Sequence, residues 1–448
     1  MRKQFIFFIS LLLAFSLLLA GCAGSKTKDP TGGSKLPAEN DPSAGKTNQT
    51  KASDYDEKVF KIEEGEANFD ASGAKADPAV KAAGEKLADA IRQSGNKVIS
   101  EIDEDNFVFS PLSFYFAFAA LYNGANGEGA EELKQLLTGA SDLDIDMLNK
   151  ASGVLIRELT NIKDFKMDVN TLLAGKIDYE FAADFLQAAA DYYEAVGVKM
   201  DFSKSEAVDA LNNWTKEKTN GLIDPLFPEG YSFSPETAMV LINTVYLLAE
   251  WQESFDPNLT AKRDFNGLDK TTEVEMMENR FFMNYAATDD YQLVSLNYKG
   301  GAKMNLYLPT KGTAPQDILL SDRNDVTEVT DIQLSLPKFD MESDIGLVEV
   351  LEKLTPSILA SGSLQELMTS NGAAVTDLYV SSSFQKARIK VDEDGTEAAA
   401  ATVIAIEESM ALIDGEDYYL VIIFDRPFAW EIVYDNVPLF TGVVSNLP

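Results

Sequence analysis

The chain is 448 residues long, with 72 Asp and Glu against 38 Lys and Arg, one cysteine and no histidine, for a formal net charge of -34. Without histidine there is no Ser-His-Asp or Cys-His catalysis and no imidazole-ligated metal, and the acidity disfavours nucleic acid and anionic lipid, whose counterions Lys and Arg must displace. A 45% hydrophobic share with 10% aromatics belongs to a folded protein rather than a disordered acidic chain.

At the N-terminus Arg2 and Lys3 precede an apolar run over residues 5–20, followed by Gly21 and Cys22. That length suits the core of a secretory signal and is short for a membrane-spanning helix. Leu19-Ala20-Gly21-Cys22 is similar to a bacterial lipobox, which makes residues 1–21 a lipoprotein signal peptide and Cys22 the site of lipid attachment. The expectation is an exported protein, lipid-anchored at the bacterial cell surface, touching membrane through that lipid alone. Residues 23–53 have Leu36 as their one large apolar side chain and carry five Lys against three acids. They bury too little surface to fold and read as a tether. Residues 54–76 are acidic and weakly patterned, so 22–76 are taken together as lipidated cysteine and loosely ordered linker, and 77–448 as the folded domain.

Val80, Ala83, Leu87, Ala90 and Ile91 recur at helical spacing. A second helix is expected over 112–122, with Ser110 as cap and Pro111 at the first helical position. Further helices are expected over 131–137, 181–196 and 206–219. Strand-like runs follow over 239–249, 274–283, 303–308, 332–336, 418–424, 428–433 and 439–444. Helices precede strands, no Gly-rich phosphate loop or repeat interrupts them, and no cofactor or metal site is legible. The pattern implies a single α+β domain.

Six blocks in order, the first and second each made of two stretches, then carry a resemblance. Asn106-Phe107-Val108-Phe109-Ser110-Pro111-Leu112-Ser113 is followed by Asn123-Gly124-Ala125-Asn126-Gly127, and later by Asn212-Asn213-Trp214 with Thr219-Asn220-Gly221. Leu241-Ile242-Asn243-Thr244-Val245-Tyr246 runs through to Trp251 and Phe255; Leu336-Pro337-Lys338-Phe339 comes next. The last are Glu393-Asp394-Gly395-Thr396-Glu397-Ala398-Ala399-Ala400-Ala401-Thr402, Asp425-Arg426-Pro427-Phe428 and Pro438-Leu439-Phe440-Thr441-Gly442. Over roughly 77–448 the chain resembles the serpins. The resemblance implies eight to nine helices around three β-sheets, with an exposed reactive loop that enters the central sheet as an added strand.

The composition of residues 393–402 suits such an entry. In a strand Thr396, Ala398, Ala400 and Thr402 share one face, all small and uncharged, while Glu397, Ala399 and Ala401 share the other. Glu397 is the one charge between Thr396 and Ile406, and no proline interrupts 396–426, so insertion buries no ion and every amide can join a ladder. Residues 397–401 alone would also suit a helix; the β-branched Thr402-Val403-Ile404 argues for the strand.

Carried over from the family, the scissile bond is Ser409–Met410, with Met410, Ala411 and Leu412 as further cleavage positions because the stretch before Arg426 is longer than usual. A small residue there suits elastase-like serine proteases, Met or Leu chymotrypsin- or subtilisin-like ones, and with Arg and Lys absent from 391–425 trypsin-like targets are disfavoured. The resemblance also assigns Ser110, Ser113, Asn243, Trp251 and Gln385 to the region where the sheet opens. Gln385 stands where the family usually has histidine, so a pH trigger through that position is put in doubt. The function implied is a suicide inhibitor of serine proteases, a monomer that forms a covalent complex with its target and is not itself an enzyme. The alternatives are a non-inhibitory serpin and a surface-displayed binding lipoprotein.

Overall fold

Helix Pro78–Ile99 forms on the spacing read from the sequence, with Val80, Ala83, Leu87, Ile91 and Val98 on its buried side. Pro78 opens it, and the Asp77 carboxylate accepts from the Ala79 amide. The computed structural model describes residues 55–139, 143–234, 237, 239–310, 312–323, 326–396 and 419–448. Among these, nine α-helices surround three sheets, the α+β architecture expected.

Helix Pro111–Tyr122 is apolar on every side and buried along residues 111–121, as an all-round hydrophobic helix must be. It packs against strands Met239–Glu250 and Val437–Val444, and so lies between the two large sheets. The seven-stranded central sheet runs in the order Phe60–Glu63, Ala195–Met200, Phe165–Lys176, Met239–Glu250, Gly395–Thr396, Ser382–Val391, Phe339–Gly346. Strand Met239–Glu250 is buried on both faces. Leu241, Val245, Leu247 and Ala249 face the main core, whereas Val240 and Ile242 join a second cluster around Trp214 and Phe227.

The nine-stranded second sheet is built largely of the C-terminal strands and takes Phe107–Phe109 as one edge. Helix Pro78–Ile99 is tied to it by Arg92, 2.7 Å from the fully buried Glu431. Burial alone would raise that carboxyl, but Arg323 and Arg92 outweigh it and hold it at about 2, so the charge stays.

Three expectations are corrected. Residues 54–76 are not a loose linker: Phe60–Glu63 pairs antiparallel with Ala195–Met200, Phe60 is buried, and Asp70 caps helix Ala71–Ala76 through the Gly73 amide. Residues 55–76 therefore belong to the folded body. The helix expected over 181–196 is Ala183–Tyr193; Glu194, left-handed with φ of 49°, ends it, and Ala195–Met200 is a strand. Helices do not simply precede strands either, because Phe165–Lys176 is a long member of the central sheet. Its alternation of Phe165, Met167 and Val169 with Lys166, Asp168 and Asn170 was the available signal.

Candidate functional site

Strands Met239–Glu250 and Ser382–Val391 run parallel but are joined along only part of their length. They pair from Val240 to Thr244 against Ser382 to Lys386, and beyond that point the ladder stops. At the far end the short strand Gly395–Thr396 lies between them, Gly395 opposite Glu250, and Thr396 opposite Ala249 on one side and Val391 on the other. Between the two paired ends, residues 245–248 and 387–390 border a narrow cleft, too tight for a water molecule, lined by Leu247, Arg388, Ile389, Lys390, Thr396 and Phe440. Among the described residues, the central sheet therefore opens between these two strands at the end where Gly395–Thr396 lies.

The closed end is held by Gln385. Its side-chain carbonyl accepts from the Ser110 amide at 2.9 Å and its side-chain NH2 donates to the Ser110 carbonyl at 3.1 Å, both within the core. Ser110 is in turn the cap of helix Pro111–Tyr122: its hydroxyl accepts from the Ser113 amide at 3.2 Å and donates to the Leu439 carbonyl at 2.6 Å. Asn243, opposite Gln385 in register, donates to the Thr171 hydroxyl at 3.0 Å. Beside these bonds, Asn243 Oδ1, Thr244 Oγ1, Ser383 Oγ and Ser113 Oγ are buried with no hydrogen-bond partner among the described residues. Each such group costs about 1–3 kcal/mol in the folded state.

The open end is held by Trp251. Its indole stacks on Tyr298, centroids 4.3 Å apart, and donates Nε1–H to the Asp392 carbonyl at 3.0 Å. Its amide donates to the Asp394 carbonyl, and that of Phe255 to the Glu393 carbonyl, so all three carbonyls of the turn 392–394 accept from Trp251 or Phe255. Gly395 leaves this turn with φ of +155°, and a Cβ there would lie 2.1 Å from the Ala249 carbonyl oxygen, which excludes any other residue. Thr396 follows, 1% exposed, its hydroxyl 2.6 Å from that of Tyr298. Burial pushes the Tyr298 phenol far above its ordinary value, so this is a bond between neutral groups.

Glu393 anchors the turn from below, accepting from Thr260 at 2.7 Å and from Lys338 at 2.8 Å. Burial would raise its carboxyl; the bonds from Lys338 and Thr260 outweigh that and hold it below the usual range. The neighbouring Asp394 is pushed up, first by burial and then by Asp392, Glu393 and Glu250.

The structure thus divides the five residues assigned to the opening into two groups. Ser110, Ser113, Asn243 and Gln385 meet at the closed end. Trp251 stands eight residues along the strand from Asn243, roughly 26 Å at the usual rise, beside the residues entering the sheet. Of the hinge, Glu393, Asp394, Gly395 and Thr396 are placed as described; Glu397, Ala398, Ala399, Ala400, Ala401, Thr402, Ser409, Met410 and Cys22 lie outside the described residues. Tyr298, Thr260 and Lys338 were missed as partners of the hinge. Each joins it from a strand or loop distant in sequence, and only Lys338 stood within a motif.

Comparison with known proteins agrees with this geometry. A family model described as serpin (serine protease inhibitor) matches residues 92–447. Antichymotrypsin-2 of Bombyx mori is 30% identical over 368 residues, 78% of this chain and 94% of that protein. An uncharacterised serpin-like protein of the archaeon Methanosarcina acetivorans is 26% identical over 378 residues, 77% of this chain and 82% of that one. Among solved structures, the native state of the thermophilic serpin tengpin superposes with a TM-score of 0.72 at 26% identity, over 87% of this chain and 100% of its own. Serpin48 of the insect Tenebrio molitor gives 0.71 at 26% identity, over 81% and 99%.

Proposed function

The chain belongs to the serpin family, and from that premise we propose that it is a suicide inhibitor of serine proteases of the elastase-like or chymotrypsin/subtilisin-like class. The serine Oγ of the protease attacks the Ser409 carbonyl carbon, the Ser409–Met410 amide breaks, its nitrogen leaves as the protonated amine of Met410, and an ester joins Ser409 to the protease. Residues 396 to about 408 then fill the cleft between Met239–Glu250 and Ser382–Val391, carrying the protease with them. Hydrolysis of the ester is outrun, and the inhibitor is consumed.

The observation that supports this most is Thr396, already buried between two strands that share no pairing with each other over residues 245–248 and 387–390. Insertion adds on the order of ten ladder hydrogen bonds at about 1 kcal/mol each. The small uncharged face of Thr396, Ala398, Ala400 and Thr402 favours this over a non-inhibitory serpin, in which bulk, charge or proline at these positions would oppose entry. Lipid on Cys22 and display at the cell surface belong to the same proposal, because a tethered inhibitor guards the surface that carries it.

Incubation with pancreatic or neutrophil elastase should give a complex that survives denaturing electrophoresis. Clean cleavage with no such band would sink the inhibitory reading. Nicking the loop should raise the unfolding temperature markedly; no rise would favour a non-inhibitory serpin or a binding lipoprotein.

A further inference from the structure

A groove of about 980 Å³ lies where five short segments distant in sequence meet: residues 100–105, which follow helix Pro78–Ile99, then Leu268, 309–320, 426–427 and 443–445. It shares no residue with the cleft in the central sheet. Hydrogen bonds between the segments fix its shape. The Gln316 side chain donates to the Ile99 carbonyl at 2.7 Å and to the Ile102 carbonyl at 3.1 Å. Leu268 donates its amide to the Ser445 carbonyl at 2.9 Å, and the Asn106 side chain accepts from the Ser445 and Asn446 amides. A groove tied in this way is formed before anything binds, so a ligand loses little free energy in ordering it.

Two features of the lining point to what it takes. The walls are apolar, with Pro309, Pro315, Leu320 and Pro427 beside Leu268, which is left 62% exposed. The rim carries Asp103, Glu104, Asp105 and Asp317, all exposed. Glu101, just outside, has Lys353 as its ion-pair partner; among the described residues the four rim carboxylates have no such partner. The one cation in the lining, Arg426, is already engaged by Asp425 at 3.3 Å and by the Pro309 carbonyl at 3.4 Å. A cleft with charges of one sign and low-dielectric walls focuses their field, and an apolar surface rimmed by polar groups marks a contact site.

The complement to this lining is an amphipathic cation. The stems of Lys and Arg lie along proline and leucine while their heads reach carboxylates. The volume is at the upper end of the range for ligand pockets, which admits a short peptide segment and not the flat face of a folded domain. In an extended segment alternate side chains point to opposite sides, so one set faces the apolar wall and the other the acidic rim.

We propose that this groove binds a short extended segment of a partner protein in which Lys or Arg alternates with apolar side chains. Leu268 and Pro427 receive the apolar positions, and Asp103, Asp105 and Asp317 the cationic ones. The site uses no residue of the reactive loop and stands whether or not the chain traps a protease.

The test uses the full chain and a synthetic peptide with blocked ends, Lys-Leu-Lys-Phe-Lys-Leu-Lys, titrated by calorimetry at low salt. A second peptide has Glu in place of every Lys. Three variants locate the site: Leu268→Ser; the triple Asp103→Asn, Asp105→Asn and Asp317→Asn; and a triple with the same change of charge at exposed positions outside the groove, Glu85→Gln, Glu128→Gln and Glu131→Gln. The lysine peptide should bind the unaltered chain, lose about tenfold in affinity on the aspartate triple and about fivefold on Leu268→Ser, and stay within about twofold on the glutamate triple. The Glu peptide should not bind, and unfolding temperatures should be unchanged because the altered residues are exposed. Equal losses in the two triples would show that the net charge of -34 alone attracts the peptide, and would overturn the groove. Undiminished affinity in Leu268→Ser would do the same, as would no measurable binding to the unaltered chain.

Discussion

Tyr298 and Thr396 meet hydroxyl to hydroxyl at 2.6 Å, both wholly buried, a side-chain bond added to the backbone pairing of Thr396 with Ala249 and Val391. The tyrosine ring is itself held by its stack on Trp251. Replacing Tyr298 with Phe keeps the stack and leaves the Thr396 hydroxyl unpaired, a loss of about 1–2 kcal/mol. The uncleaved protein should unfold a few degrees lower in calorimetry. An unchanged unfolding temperature would mean that the bond contributes nothing.

Thr396→Arg tests the direction of insertion. A guanidinium cannot enter a position 1% exposed between Ala249 and Val391 without losing its hydration. The protease should then cleave and leave, so that the stoichiometry of inhibition rises well above one per enzyme while the rate of loop cleavage is kept. Unaltered stoichiometry would contradict entry through this position.

The closed end predicts a different phenotype. Gln385→Ala removes both bonds to the Ser110 backbone at once, leaving the buried Ser110 amide without a partner and its carbonyl with the Phe114 amide alone. Together with the cavity, the loss should be about 3 kcal/mol or more. On mild heating the variant should form loop-inserted or polymeric species sooner than the unaltered chain, as seen on native gels. Equal rates would show that Gln385 does not hold the strands together.

Glu393 and Lys338 give a pH dependence whose sign can be worked out. Burial opposes the carboxylate, yet Lys338 and Thr260 hold it below its ordinary value. Its contribution is therefore full above the unfolded carboxyl pKa, about 4.3, and is lost as pH falls through the lower folded value. Burial lowers Lys338, but Glu393 and Glu275 raise it by more, so its share persists until pH rises past the ordinary lysine range. Asp394, raised by burial, works the other way and is relieved on acidification. Lys338→Met isolates the pair: the variant should be less stable at pH 7 by about 2 kcal/mol, with the gap to the unaltered chain closing below about pH 4. A gap constant from pH 7 to 3 would remove the pair from the account.

Much of this site was legible before folding. Ser110 and Pro111 announce a helix start, and both the helix and its cap are found where they point. Gly395 reads as a position of flexible backbone, and its φ of +155° with the Ala249 carbonyl against it gives the reason. Alternation puts Thr396 on the small, uncharged face, and Thr396 is buried. Other features were hidden because they depend on pairing. Nothing local distinguishes Tyr298 from any strand tyrosine, and Thr260 and Lys338 reach Glu393 from 133 and 55 residues away in sequence. The weak pattern of 54–76 concealed an edge strand of four residues, too short to declare itself without Ala195–Met200 beside it.

By itself the sequence determined what the chain can bury and what it cannot: an all-apolar helix after Ser110, strands apolar on both faces, and a small, uncharged, proline-free segment from Thr396. These are properties of side-chain volume, charge and backbone freedom, and they hold in any fold. Only the tertiary structure decided that Met239–Glu250 and Ser382–Val391 pair at one end and part at the other. That outcome is a balance between long-range contacts: Gln385 on Ser110 at the closed end, and Trp251, Tyr298 and Lys338 on the 392–396 turn at the open one. No window of sequence contains both sides of that balance.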